Sequence, residues 1–159
     1  MQHSRKVAVI AGAAALAVLG GAGAATAAQK LTGQDCSQEY FFNGQGIEQA
    51  GYRCAQARIN YSSYSAVLWE ISSYDIQYTV SPGLQYGARN DENIYKVATG
   101  FSSGTKEWKS PDSGDANVGW FNRNVPNAKT YKGQTSVQID AYADKEGPDP
   151  RLDLDTATW

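Results

Sequence analysis

Val67-Leu68-Trp69-Glu70-Ile71-Ser72-Ser73-Tyr74-Asp75-Ile76-Gln77-Tyr78-Thr79-Val80 is the stretch that decides the fold class. Val67, Trp69 and Ile71 share one parity. Tyr74, Ile76, Tyr78 and Val80 share the other, with Asp75, Gln77 and Thr79 between them. A two-residue period of this kind marks a strand with one buried face. The change of parity at Ser72-Ser73 predicts a β-bulge or a bend within one long strand.

The same alternation predicts further strands over Tyr52–Tyr61, Ile94–Phe101, Val118–Val125, Ser136–Ala143 and Arg151–Thr158. Turn signals separate them: Ser81-Pro82-Gly83, Asn90 to Asn93, Ser102-Ser103-Gly104, Ser110 to Asn117, Pro126-Asn127 and Gly147-Pro148. No segment after residue 27 carries a helical stripe over three turns. Ile47–Ala57 has the makings of a helical turn, but Gly51 and Cys54 favour extended chain. The expectation is an all-β protein, an antiparallel β-sandwich or partly closed barrel, in a single domain over residues 36–159. Ala28–Asp35 holds one leucine and no pattern, and is expected to be a mobile N-terminal arm.

Residues 1–27 read as a cleaved secretory signal peptide. His3, Arg5 and Lys6 lie ahead of a 13-residue apolar run, Val7 to Leu19, and small residues follow, ending Ala25-Thr26-Ala27. The run is shorter than the ~20 residues of a bilayer-spanning helix. Gly33-Gln34-Asp35 before Cys36 does not resemble a lipidation site. The product is expected to be secreted and extracellular, with no membrane attachment after cleavage.

Charge and cysteine content narrow the function. The 159-residue chain has 14 Lys and Arg against 16 Asp and Glu. Beyond residue 27 there remain 12 bases and 16 acids, a net charge of −4, and the excess acid falls in the last 20 residues. With no basic cluster in the sequence to replace phosphate counterions, a nucleic-acid partner is excluded. Cys36 and Cys54 are the only cysteines, and in an exported chain they are expected to form one disulfide. The loop Asn43-Gly44-Gln45-Gly46 inside it is expected to connect Tyr40-Phe41-Phe42 to the strand around Tyr52.

The one His is His3 and the one Met is Met1, both within the leader. Ser-His-Asp and Cys-His catalytic arrangements therefore lack their base, and zinc lacks its usual nitrogen ligand. No phosphate-binding glycine loop is present, so no cofactor is expected. Glu70 and Asp75 are the only carboxylate pair on a strand that merits thought as acid and base. Asp112-Ser113-Gly114-Asp115-Ala116-Asn117 and the C-terminal acids carry hard oxygen ligands, but neither fits the twelve-residue calcium loop, and no metal site is expected. Asn60-Tyr61-Ser62 matches the glycosylation triplet inside a strand, which favours coincidence. Leu152-Asp153-Leu154-Asp155 alternates as an edge strand protected by charge.

The 18 aromatic residues all follow residue 27. Most belong in a core, but Trp108, Trp120-Phe121 beside Arg123, and Tyr131 stand among polar residues, as aromatics of contact surfaces do. These five are the candidate binding residues. The reading is a non-catalytic interaction protein, not an enzyme, that docks on another extracellular protein. Two alternatives are a carbohydrate or cell-wall binding module, and a protease inhibitor offering Arg123 or Lys129 on a loop over Asn122–Lys129.

Overall fold

The computed structural model describes residues 27–84, 89–102, 104–110 and 119–159. The leader (Ala27 excepted), the Asp112–Asn117 segment and Val118 lie outside them. Among the described residues eight strands follow one another: β1 (Ala28–Phe42), β2 (Glu48–Ser63), β3 (Leu68–Val80), β4 (Asn90–Ala98), β5 (Thr105–Lys109), β6 (Phe121–Tyr131), β7 (Ser136–Ala143) and β8 (Arg151–Asp155). They form two four-stranded antiparallel sheets, ordered β1-β2-β3-β6 and β5-β4-β7-β8. The fold is all-β and sandwich-like, as the alternation predicts.

The two inner faces make the core. Ile59, Ile71 and Ile76 from the first sheet, with Val137, Ile139, Leu152 and Leu154 from the second, are almost wholly withdrawn from solvent. Each such side chain contributes roughly 1.5–3 kcal/mol by leaving water. Small residues sit opposite large ones: Ala55 faces Tyr78 and Ala57 faces Ile76 across the β2–β3 ladder. That pairing leaves room for the tyrosine ring inside a dense core.

The bulge in β3 falls where the parity changes. Asn60 pairs with Ser73 but Tyr61 pairs with Ile71, so Ser72 is the extra residue. On the other side of β3, Ser73 pairs with Asn124 and Ile71 with Ala128. Val125, Pro126 and Asn127 thus oppose Ser72 alone. Pro126-Asn127, expected as a turn, continues β6 through this irregularity, where a proline lacking its N–H breaks no regular ladder bond. The stretch Asn122–Lys129 is accordingly strand and not a presented loop.

Ala28–Asp35, expected as an arm, is the first half of β1 and pairs with β2 from Ala28↔Tyr61 to Asp35↔Ala55. The register slips between Leu31 and Gln34, and there the Thr32 hydroxyl receives the Ala57 N–H at 2.9 Å in place of a backbone carbonyl. This edge strand buries only Thr32, so its sequence needs no apolar alternation. Asp35 also caps the neighbouring sheet, accepting the outward N–H of Asp153 on edge strand β8 at 2.8 Å. β8 itself buries Leu152 and Leu154 and exposes Arg151, Asp153 and Asp155. It ends at Asp155, three residues short of the expected boundary. β5 is a five-residue edge strand that the sequence does not announce.

Candidate binding surface

Cys36 and Cys54 are directly opposite in the β1–β2 ladder and are joined as a disulfide. Beyond them the two strands run on as a ribbon. Arg53 is the first β2 residue paired with β3, so Glu48–Gly51 and Glu39–Phe42 are laddered only to each other. At its tip, Asn43 Oδ1 accepts the N–H groups of Gln45 and Ile47, and Gly46 takes φ +74°, a left-handed conformation that suits glycine.

The ribbon's two faces differ. On the inner side Phe41 packs against Gly51 and Gly83, close to Leu84. Glu39 accepts a hydrogen bond from Arg53 Nε at 2.8 Å, and Arg53 reaches the Asp144 carbonyl. Arg53 is only 2% exposed. On the outer side Tyr40 and Phe42 alternate along β1, and Tyr52 stands diagonally across on β2, opposite Gln38. Phe42 is 73% exposed, Tyr40 66%, Ile47 at the tip 57% and Tyr52 47%. A depression of about 230 Å³ lined by Tyr52, Cys54, Thr79, Val80 and Ser81 continues this face onto the sandwich. Ser81 ties the join: its Oγ accepts the Tyr52 N–H at 2.9 Å, and its own N–H donates to the Tyr52 carbonyl.

The five aromatic and basic residues singled out from the sequence are not brought together. Trp120 lies on the outer face of the first sheet, with the Arg58 guanidinium 4.6 Å from its ring centre. Phe121 points inward and packs on Tyr78, with the Arg123 guanidinium 4.4 Å from its ring centre. Trp108 is half-buried on the inner side of β5, lining a cleft of about 130 Å³ with Tyr95, Val97, Pro126 and Ala128. Tyr131 is at the opposite end of β6 from Phe121, with its ring 4.5 Å from that of Phe101.

The bulge does put Glu70 and Asp75 on one outer face. Asp75 is committed to structure there: Arg58 Nε donates to it at 2.7 Å and Asn122 Nδ2 at 2.8 Å. Burial raises its pKa, but the bonds from Asn122 and Arg58, the nearby Asn60 amide and the charge of Arg58 outweigh burial. The carboxyl is held below its usual range. A group kept ionised in this way is a poor proton donor near neutrality. Among the described residues no cluster of His, Cys, Asp or Glu has the makings of a metal site. Nor is any helix among the described residues long and apolar enough to cross a membrane.

The sequence names every residue of the ribbon's aromatic face, yet it could not show that these residues stay outside the core. Alternation says which side chains share a face, and here the face belongs to strands that outrun their sheet. Set against known proteins, the chain matches no family model, no curated protein and no solved structure.

Proposed function

We propose that this protein is a secreted, non-catalytic docking module that binds another extracellular protein through the outer face of the β1–β2 ribbon. The carrying observation is that Tyr40, Phe42, Ile47 and Tyr52, all large and apolar, are about half or more exposed on a projecting ribbon. Tyrosine and phenylalanine are enriched in protein contacts, where a few rigid aromatic anchors supply most of the affinity. The disulfide, the Glu39–Arg53 pair and the Phe41 packing hold the ribbon in one shape before any partner arrives, which lowers the entropy lost on association. The disulfide also accords with an extracellular location.

The test is size-exclusion chromatography of the native secretion medium, comparing wild type with Tyr40→Ser/Phe42→Ser. Wild type should elute in a stoichiometric complex with a second protein, and the double variant as a folded monomer. A monomeric wild type, or a complex that survives the double substitution, overturns the proposal.

A further inference from the structure

The end of the sandwich opposite the ribbon tip gathers three lysines that are scattered in sequence. Lys132 Nζ lies 4.1 Å from the ring centre of Trp69 and 2.9 Å from Ser63 Oγ. Lys129 Nζ lies 3.7 Å above Tyr64, and Lys30 Nζ lies 5.8 Å from the ring centre of Trp159. The rings connect Lys30 to Lys132, through Trp159 to Tyr61 at 5.5 Å and Tyr61 to Trp69 at 4.9 Å. Lys129 joins them through the turn, where its partner Tyr64 follows Ser63. Among the described residues none of the three has a carboxylate within ion-pair distance. Glu70, opposite Lys129 in the ladder, makes no such pair. The Ser63–Val67 turn contains no acid, and it exposes Tyr64 and Val67.

We infer that this lysine track binds a linear anionic polysaccharide, one bearing carboxylate, sulfate or phosphate groups along its chain. Lys30 stands near the start of β1 and Lys129 and Lys132 at the end of β6, so the cations are spread across this end from one edge strand of the first sheet to the other, and a flexible polyanion can reach them all. A peptide needs a groove or a free strand edge. The turn offers neither, because the N–H groups of Tyr64, Ser65, Val67 and Leu68 already have acceptors within it. An acidic peptide laid on the edge strands β1 or β6 is the outcome that a polyglutamate arm tests. The aromatic faces hold the ammonium groups in place by cation–π attraction, and exposed Tyr64 adds a ring edge for a sugar. Overall the chain is acidic, so the attraction is local and short-ranged, and salt within a Debye length of about 10 Å at 0.1 M weakens it.

The experiment measures binding of the purified, disulfide-bonded protein to polygalacturonate at low and moderate salt. Neutral dextran, polyglutamate and phosphatidylglycerol vesicles serve as separate arms. The expected result is salt-sensitive binding to polygalacturonate, at least about tenfold stronger than to dextran, and weakened about tenfold in Lys129→Gln/Lys132→Gln. Lys129→Gln alone, on the exposed outer face, should weaken it by a few-fold and serves should the double variant misfold. Equal binding to dextran, equal or tighter binding to polyglutamate or to the vesicles, or no effect of the lysine substitutions overturns the inference. Ribbon variants such as Tyr40→Ser should leave this binding unchanged, which separates its failure from that of the docking proposal.

Discussion

Phe41 lies so close to Gly83 that a β-carbon built on the glycine would stand 2.6 Å from Phe41 Cε2. Gly83 also has φ +92°, a backbone conformation that costs any other residue strain. The inner face of the ribbon is seated on this contact. Gly83→Ala should therefore destabilise the protein by about 1–3 kcal/mol in urea unfolding. It should also speed hydrogen exchange of the Glu48–Tyr52 amides. Gly44→Ala, with open space around it, should change stability by less than about 1 kcal/mol.

Glu39 and Arg53 form the ion pair at the foot of the ribbon, and both side chains are largely buried. Removing one partner of a buried pair leaves the other's charge poorly solvated. Glu39→Ala should cost about 3 kcal/mol in denaturant unfolding. Glu39→Gln, which keeps a carbonyl oxygen for the Arg53 Nε–H, should cost less.

Tyr74 and Tyr95 stack in the core with ring centres 5.7 Å apart, and neither hydroxyl has a hydrogen-bond partner. Burial pushes the Tyr74 hydroxyl up to about 12, tempered by nearby Asn93 and Ser110, which do not reach hydrogen-bonding geometry with it. Burial, and next the proximity of Tyr74, raises Tyr95 as well. A folded-state value above the unfolded one of 10.0 means that stability is full below pH 10. It is lost as pH rises through about 12. Tyrosinate absorbance and far-UV circular dichroism should change together in that range. Tyr74→Phe should leave stability at pH 7 unchanged or raise it by up to about 1 kcal/mol, because an unpartnered hydroxyl is removed. It should also move the alkaline transition upward.

The Cys36–Cys54 disulfide closes a loop that contains the whole ribbon. Replacing both cysteines with alanine should cost on the order of 3 kcal/mol by the chain-entropy account. The core cluster, which begins at Ala55, lies wholly outside that loop, so the double variant should still fold. Thermal melts should report the loss of stability, and affinity for the docking partner should fall with it.

Much of the fold is legible in the sequence where a strand has one wet and one dry face. Tyr74, Ile76 and Tyr78 announce β3, and Ser72-Ser73 announces its bulge. Val137, Ile139 and Ala141 do the same for β7. β1 and β5 are not legible, since β5 fully buries none of its residues and β1 buries only Thr32, so neither needs the apolar alternation that edge strand β8 shows. Pro126 reads as a break because local propensity carries no knowledge of a partner strand whose bulge accommodates it. The candidate surface is less legible still. Trp108 and Phe121 look exposed among polar neighbours but pack against the core. Lys30, Lys129 and Lys132 form no cluster until the strands are paired.

β2 runs without interruption for 16 residues, from the base of the ribbon's tip to the turn that carries Tyr64. At about 3.3 Å per residue it spans roughly 50 Å. Anything gripped by the aromatic tip and anything gripped by the lysines is thereby kept at a set distance, as if by a ruler. A jointed tether would average over many separations; this rod presents one. Two targets anchored in one assembly can be bridged only if their own spacing agrees with the length of that strand.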